Sequence, residues 1–311
     1  MKKVFIAGHR GMVGSALMRS VPVAVSAYTA NRNELDLTNT KEVEHFLQRN
    51  RIDAVILAAA KVGGIGANST EQYNFLLQNL LIQNSVLNAA KRARISNLIF
   101  LGSSCIYPKL ASQPMKESSL LTGPLEPTNE GYAIAKIAGV RMCKAISDET
   151  GLNFFSLMPT NLYGPNDNFD EATSHVPAAL MARLHHAKAA GKASVEIWGT
   201  GVSLREFMHV DDLADACWFF LESECQGRHI NIGSGQEVSI HDFARLMAKT
   251  IGYEGEIHFD PTKPSGAPRK LLDTSFASSK GWRASIRLEQ GLRLTYEWFK
   301  TALKNGDVRG L

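Results

Sequence analysis

The chain has 311 residues, of which 44% are hydrophobic and 21% are charged, and its formal net charge is +4. This composition is ordinary for a globular protein and excludes a disordered or low-complexity chain. It contains no apolar stretch near the roughly 20 residues of a membrane span, and its basic residues do not cluster into a nucleic-acid-binding stripe, so we expect neither a membrane nor a nucleic acid as partner.

The first half of the chain alternates short apolar runs with segments of helical periodicity. This alternation predicts an α/β fold, a Rossmann-type doubly wound parallel sheet with helices on both faces. The predicted strands are Lys3–Ala7, Val23–Tyr28, Ala54–Ala58, Leu98–Leu101 and Phe154–Met158, and the predicted helices are Met12–Ser20, Thr40–Arg49, Glu71–Arg94 and Tyr132–Glu149.

After Pro159 the pattern becomes irregular, and Asn161–Ser174, which is rich in Asn, Asp and Gly, predicts a loop. We expect a cofactor domain of residues 1–165, to which 205–235 returns, and a smaller, discontinuous α+β substrate domain of residues 166–204 and 236–311. The predicted later elements are helix Val176–Ala190, strand Val195–Trp198, a return to the main sheet through Glu206–Val210, Asp212–Glu222 and His229–Ile232, a helix from Ser239 to Ile251, a strand from Ile257 and helix Leu288–Leu303.

The four cysteines, Cys105, Cys143, Cys217 and Cys225, form no C-x-x-C pair and show no metal-ligand spacing with histidine. We therefore expect reduced thiols and no metal site. The apolar run after Met1 is too short for the core of a signal peptide, and this favours a cytoplasmic location.

A glycine-rich segment follows the first predicted strand and opens the first predicted helix. Gly8, Gly11 and Gly14 have the spacing G-x-x-G-x-x-G, with Met12 and Val13 at the start of the helix. In this context the glycines permit a tight turn, close approach to a pyrophosphate and close helix packing. The segment predicts a dinucleotide site, with the anion at the N-terminus of the helix.

Arginines favour NADPH over NADH as the dinucleotide. Arg32 stands near the end of the second strand, where an NAD site usually carries an acid, and Arg10 lies in the glycine loop. Two guanidinium groups suit a 2′-phosphate, although Glu34 is nearby. Asp36, which precedes Leu37, has two possible roles: binding near the adenine or capping the next helix.

Tyr132 and Lys136 form a Y-x-x-x-K motif, which places both side chains on one face of a helix. A neighbouring ammonium lowers the pKa of a phenol, so we expect Tyr132 to exchange protons near neutral pH. Ser103 follows a strand at the edge of the sheet where ligands bind, and it can hold the same substrate oxygen.

In this order, behind a glycine loop, Ser103, Tyr132 and Lys136 resemble the triad of the short-chain dehydrogenases/reductases, and the long C-terminal part resembles their extended, sugar-nucleotide branch. Within this branch five segments are similar to the GDP-L-fucose synthase family: AGHRGMVGS (7–15), AAAKVGGI (58–65), GSSCIYPK (102–109), MPTNLYGP (158–165) and REFMHVDD (205–212). The resemblance implies epimerisation at C3 and C5 of GDP-4-keto-6-deoxy-D-mannose, followed by NADPH-dependent reduction at C4.

The resemblance also implies roles for individual residues. Cys105 and His175 match the acid–base pair of the epimerisation, and Cys105 argues against the 4,6-dehydratases, which carry carboxylates near that position. The implied GDP-binding residues are Arg183, Trp198, Arg205 and Lys270. Beyond the glycine loop, the implied cofactor-binding residues are Asp36, Leu37, Leu101, Gly102, Lys136, Pro159, Asn161, Leu162 and His175.

Two positions depart from the family pattern. Ser265 replaces an Asp that is usual in its loop, and Gly131 replaces a usual Pro, which we expect to loosen the entry to its helix. Ser265 keeps open a sister enzyme for another GDP-keto-deoxy sugar, such as the precursor of GDP-L-colitose. A non-catalytic NADP(H) sensor is a further alternative, against which the intact triad argues. The branch also implies a homodimer, for which Glu71–Arg94 and Tyr132–Glu149 are candidate contacts.

Overall fold

A parallel six-stranded sheet is the centre of this computed structural model, which describes residues 1–171, 173–263 and 267–311. Its strands are β1 (Lys2–Ala7), β2 (Val25–Tyr28), β3 (Ala54–Leu57), β4 (Asn97–Leu101), β5 (Asn153–Pro159) and β9 (His229–Ile232). Their order in the sheet is β2-β1-β3-β4-β5-β9, and every pairing is parallel. The inner strands β1, β3, β4 and β5 are largely apolar and buried because helices cover both faces of the sheet, whereas β2 at the edge buries only Val25.

Helices cover both faces of this sheet, as the alternating pattern predicts. On one face α1 (Met12–Arg19) and α7 (Val210–Leu221) bury Leu17, Leu213 and Cys217 against the strands. The other face carries α2 (Thr40–Asn50), α4 (Gln72–Arg92) and α5 (Glu130–Thr150). The doubly wound fold is therefore confirmed. No helix among the described residues has the length and apolar character needed to cross a membrane.

A second apolar core lies in the later part of the chain, around Phe169, Phe207, Phe243 and Phe299. Its helices are α6 (Val176–Ala189), α8 (Ile240–Ile251) and α10 (Leu288–Asn305). One small sheet pairs β7 (Ser194–Trp198) with β11 (Glu256–Asp260). In the other, β8 (Leu204–His209) pairs with β6 (Asn161–Tyr163), β10 (Glu237–Ser239) and β12 (Arg269–Lys270). Two short helices, α3 (Ile65–Thr70) and α9 (Ser275–Ser279), complete the set of named elements.

Two expectations about these elements are wrong. The segment Glu206–Val210 does not return to the main sheet: β8 pairs with β6, β10 and β12, and β9 alone is added beside β5. The predicted loop Asn161–Ser174 begins with β6, a strand too short and polar to show a period. The predicted helix Glu71–Arg94 agrees with α4 (Gln72–Arg92) to within two residues. A short helix, α3, precedes it, and the two are separated at Glu71, whose φ of −121° and ψ of 31° are not helical.

Candidate active site

The glycine loop between β1 and α1 is packed too tightly to accept side chains at two positions. Gly8 has a φ of +93°, and a Cβ added to it would lie 2.7 Å from the backbone nitrogen of Ala59. A Cβ on Gly14 would lie 2.1 Å from the Gly8 oxygen. Gly11 has no side chain to cap α1, so the first N–H groups of the helix, at Met12 and beyond, are left for an anion. This geometry fits the pyrophosphate of a dinucleotide.

Arg10 and Arg32 are both exposed at the same edge of the sheet, because β1 and β2 run parallel and end together. Glu34 is folded back: its Oε2 accepts a hydrogen bond from the Asn31 N–H at 2.7 Å. The charges of Arg10 and Glu34 both influence the pKa of His9, which places the two loops side by side. A 2′-phosphate therefore fits this end of the site.

Asp36 does not cap the next helix. Its Oδ1 accepts hydrogen bonds from the backbone N–H and the hydroxyl of Thr38, at 2.9 and 2.8 Å, and these bonds lower the pKa of the carboxyl. Asn39 is the N-cap of α2, and its side chain accepts from the amides of Lys41 and Glu42. The capping interpretation of Asp36 is therefore wrong. Asp36 is exposed beside the half-buried Leu37, and a role near the adenine remains an expectation.

Ser103 stands where β4 ends, at the carboxyl edge of the sheet. The adjoining Gly102 is confined by Met158, whose Cε would lie 2.2 Å from an added Cβ. Ser103 has extended backbone, and its Oγ accepts a hydrogen bond from the Cys105 N–H at 3.3 Å. The Ser103 hydroxyl and the Cys105 thiol therefore belong to one tight turn at the end of the strand.

Tyr132 and Lys136 lie one helical turn apart on α5, facing the same strand end. The Lys136 Nζ donates to the Leu101 carbonyl at 2.8 Å and lies 4.8 Å from the centre of the Phe100 ring. Lys136 is 3% exposed, and this burial lowers its pKa to about 8.

The pKa of Tyr132 is raised, which overturns the expectation of a lowered value. Burial is the largest cause, the charge of Cys105 adds to it, and the hydrogen bond with Ser103 acts in the opposite direction. The Lys136 ammonium is engaged by Leu101 and sits 5.6 Å from the centre of the tyrosine ring. In this structure Tyr132 is therefore a protonated phenol, suited to donate a proton to a substrate oxygen.

Cys105, His175 and Lys270 share one electrostatic environment, although they come from distant parts of the chain. Cys105 is 6% exposed; burial raises the pKa of its thiol, and the charge of Lys270 opposes this rise. His175 keeps exposed surface at the start of α6, yet it is surrounded by enough protein to lower its pKa, and Lys270 lowers it further. A cation thus faces both members of the expected acid–base pair.

Lys270 is held by β12, which pairs with β8 so that Lys270 lies opposite Arg205. Arg205 is partly buried and donates to the Leu204 carbonyl at 2.8 Å. The other two expected substrate residues lie around β7: Arg183 donates to the Glu196 carbonyl at 2.8 Å and pairs with Glu171 at 3.2 Å, and Trp198 is 55% exposed. Lys270 and Arg205 therefore lie together on β12 and β8, and Arg183 and Trp198 both lie at β7.

The remaining expected cofactor residues follow β5. Pro159 ends that strand, the Asn161 amide donates to the Glu206 carbonyl at 2.8 Å, and Leu162 packs against the core on the α1 face. They share the carboxyl edge of the sheet with the glycine loop, the usual ligand edge of such a fold. Ser265 lies outside the described residues.

Glu206 was not expected to contribute to the site. Its side chain has no exposed surface, its Oε1 accepts from the Gly235 N–H at 2.7 Å, and its Oε2 accepts from the Leu272 N–H at 3.0 Å. Burial raises the pKa of this carboxyl, and the hydrogen bonds lower it. Glu206 fixes the chain two residues beyond Lys270. In the sequence, the signal for this role was the carboxylate of Glu206 beside the apolar residues that follow Arg205.

Comparisons with known proteins agree with this geometry. The model of the NAD dependent epimerase/dehydratase family matches residues 4–233 of this chain. GDP-L-fucose synthase 1 of Arabidopsis thaliana is 52% identical over 97% of this chain and 94% of its own length. GDP-L-fucose synthase of Escherichia coli is 48% identical over 98% of both chains, and GDP-L-colitose synthase of Yersinia pseudotuberculosis is 37% identical over 98% of this chain and 100% of its own.

Among solved structures, a GDP-mannoheptose C4 reductase from Campylobacter jejuni with NADP bound superposes with a TM-score of 0.85. It is 35% identical to this chain, and the match covers 96% of this chain and 98% of the reductase.

Proposed function

Since this chain belongs to the NAD dependent epimerase/dehydratase family and, within it, to the GDP-L-fucose synthases, we propose that it converts GDP-4-keto-6-deoxy-D-mannose to GDP-L-fucose with NADPH. The observation that carries the proposal is the position of Cys105, a thiol beside the Ser103 hydroxyl and under the charge of Lys270. A reductase needs Ser103 and Tyr132 but no such thiol, whereas an epimerase needs a base.

The epimerisation uses the acidity of hydrogens next to the C4 ketone. Cys105, as a thiolate stabilised by Lys270, removes a proton from the carbon while Ser103 and Tyr132 hold the oxygen on which negative charge develops. His175 returns a proton to the opposite face of the same carbon. Two such inversions, at C3 and C5, complete the change of configuration.

The reduction uses the same oxygen-binding groups. NADPH, when bound, supplies the hydride that C4 accepts. The raised pKa of Tyr132 keeps its phenol protonated until negative charge develops on the C4 oxygen, which then takes the phenolic proton. Lys136, anchored on the Leu101 carbonyl, would hold the nicotinamide ribose. Because one ketone serves both reactions, a single site suffices.

Three features support NADP(H) as the cofactor. The glycine loop excludes side chains where a pyrophosphate approaches, Arg10 and Arg32 are exposed beside it, and the acid of that region, Glu34, is engaged by Asn31. Relatives of known structure include the NADP-bound reductase, at 35% identity. The residues of the site therefore fit a 2′-phosphorylated dinucleotide.

Arg183, Trp198, Arg205 and Lys270 are proposed to bind the GDP-sugar. Guanidinium groups suit a diphosphate, and the exposed ring of Trp198 offers a flat apolar surface. In the present structure Arg183 is paired with Glu171, which a diphosphate would replace.

A cytoplasmic homodimer completes the proposal. Apolar side chains are exposed along α4 and α5 on the outer face of the sheet, among them Tyr73 at 72%, Leu81 at 42% and Ile134 at 44%. A second copy that packs its own α4 and α5 there would cover them. The four cysteines are unpaired and buried, which accords with a reducing compartment.

The proposal is tested in two parallel incubations of the purified protein with NADPH. One contains GDP-4-keto-6-deoxy-D-mannose and the other contains its 3-deoxy counterpart. GDP-L-fucose as the dominant product, formed at the expense of NADPH, supports it. A strong preference for the 3-deoxy substrate would assign the chain to the colitose type, and binding of NADPH without turnover of either would indicate a sensor.

A Cys105→Ser variant separates the two reactions. We expect it to lose GDP-L-fucose formation by about 100-fold, while it still reduces the unepimerised ketone. The matched control is Cys225→Ser, a buried cysteine beside β5 and outside the site, which should keep the wild-type product. Full epimerisation by Cys105→Ser would contradict the assignment of the base.

A further inference from the structure

The loop that leaves β3 makes an unusually close contact with the segment that carries His175. The Gly64 N–H donates to the Thr173 carbonyl at 2.8 Å. A Cβ added to Gly64 would lie 2.3 Å from the Ser174 oxygen and 3.1 Å from the Ser174 carbonyl carbon. The φ of −68° and ψ of −179° at Gly64 suit any residue, so the close approach alone requires glycine here.

On the far side of this contact, Ser174 leads directly into His175. The His175 carbonyl accepts the first helical hydrogen bond of α6, from Ala179 at 3.0 Å, so the residue is fixed to the start of the helix. Asp170 also fixes this segment. Its Oδ1 accepts from the Thr173 N–H at 2.8 Å, and its backbone carbonyl accepts from the Ser174 N–H at 3.0 Å. A displaced Ser174 carbonyl therefore moves the backbone of His175.

The loop after β3 is itself held in place by buried amides. The Asn68 Nδ2 donates to the carbonyls of Gly63, at 2.6 Å, and Gly64, at 3.0 Å. Asn79 brackets Lys61 by accepting from its N–H and donating to its carbonyl, both at 3.0 Å. Asn68 and Asn79 are 6% and 2% exposed. The loop therefore cannot retreat from the Thr173–Ser174 backbone without breaking these bonds.

We propose that Gly64 is a positioning residue that sets the place of His175 over the substrate, by letting the loop after β3 contact the Thr173–Ser174 backbone directly. The proposal rests on the proposed function for the role of His175 as the proton donor of the epimerisation. An added methyl group has to displace the Ser174 carbonyl by roughly 1 Å, and a misplacement of about that size can slow a catalysed step about 100-fold.

The test is Gly64→Ala, with the His175 ring followed by NMR and assigned with His175→Gln. In the wild type the surrounding protein and the charge of Lys270 lower the pKa of the ring from its ordinary value of 6.5. In Gly64→Ala we expect the midpoint to rise toward 6.5. GDP-L-fucose formation should fall by about 10- to 100-fold, and reduction of the unepimerised ketone should increase as a share of product.

The matched control is Gly63→Ala. Its added Cβ would meet only side chains, Phe75 at 3.0 Å and Ala67 at 3.2 Å, so the His175 titration should stay at the wild-type midpoint. Asn68→Ala frees the loop without adding an atom and is expected to raise the same midpoint, so it serves if Gly64→Ala does not fold.

The proposal is overturned if His175 in folded Gly64→Ala titrates at the wild-type midpoint. If Gly64→Ala does not fold, the same result in Asn68→Ala overturns it. This readout does not depend on turnover. If the wild-type enzyme makes no GDP-L-fucose while the titration shifts as expected, the proposed function fails and the positioning contact stands.

Discussion

The charge of Lys270 stabilises a thiolate at Cys105, a position where burial disfavours one. Burial raises the pKa of the thiol, and the charges of Lys270 and Lys136 lower it. Of the two lysines, Lys270 has the larger effect on the pKa of the thiol. Its role therefore extends beyond the diphosphate binding that the resemblance implies.

Replacement of Lys270 by Met is expected to raise the pH at which Cys105 becomes reactive by about one unit, because an opposite charge at close range is lost. The measurement is the pH dependence of iodoacetamide labelling at Cys105, followed by peptide mass spectrometry. Lys263→Met, at an exposed lysine in the same region, is the control. An unchanged labelling profile in Lys270→Met would show that Lys270 does not act on the thiol.

Asp167 gives the protein a pH-dependent stability. The carboxyl is 7% exposed, and burial raises its pKa from 3.8 to about 7, against the opposing effects of the Asn168 N–H and Arg309. The folded state therefore holds a proton that the unfolded state releases above its own pKa. Stability due to the protonated carboxyl is complete below about pH 4 and is lost as the pH rises to about 7.

We expect Asp167→Asn to remove this dependence, with a gain relative to wild type of up to about 4 kcal/mol at pH 8 and little gain at pH 4. Urea unfolding of both proteins at the two pH values measures the difference. Asp307→Asn, at an exposed carboxyl two residues before Arg309, is the control. An equal difference at both pH values would mean that folding does not raise the pKa of Asp167.

At the scale of elements, Gly131 sets the distance between α4 and α5. It does not loosen the entry to α5, as its departure from the family pattern led us to expect. Its N–H donates to the Gln72 Oε1 at 3.2 Å, and an added Cβ would lie 2.7 Å from the Gln72 backbone oxygen. Gly131 thus brings α5 close to α4 one residue before Tyr132.

Gly131→Ala should destabilise the protein by about 1–3 kcal/mol, because two helix backbones have to separate. It should also lower the reduction rate, because Tyr132 moves with the helix. Gln72→Ala removes the hydrogen bond without crowding and is the control, expected to cost about 1 kcal/mol or less. Chemical denaturation and NADPH oxidation measure the two effects. Wild-type stability in Gly131→Ala would contradict the packing argument.

The elements of the main sheet could be predicted because their signal is local. Ala54–Leu57 and Asn97–Leu101 are largely buried apolar runs, and the helix Thr40–Asn50 carries Val43 and Leu47 at helical spacing on its buried face. The glycine loop and the Y-x-x-x-K pair depend only on neighbours in sequence. Their predicted positions therefore agree with the structure to within a few residues.

What the sequence could not predict depends on contacts between distant segments. The strand β8 has the composition of a main-sheet strand, and only its pairing with β6, β10 and β12 places it elsewhere. The raised pKa of Tyr132 follows from burial, which a spacing rule does not contain. The approach of Gly64 to Ser174 joins residues more than a hundred positions apart.

At the scale of the whole molecule, the exposed apolar side chains of α4 and α5 predict self-association. Leu81→Glu together with Ile134→Glu places charges on the proposed contact and should convert a dimer to a monomer, with the fold retained. Sedimentation velocity measures the change. Phe219→Glu is the control, since that exposed residue lies on α7, against the opposite face of the sheet. A monomeric wild-type protein would contradict the proposed interface.

The central claim, that one site both epimerises and reduces, is tested most directly in deuterated water. The protein is incubated there with NADPH and GDP-4-keto-6-deoxy-D-mannose, and the product is examined by NMR. We predict GDP-L-fucose that carries solvent deuterium at C3 and C5, formed in step with NADPH oxidation. Reduced sugar without deuterium at these carbons, or exchange without any oxidation of NADPH, would contradict the account.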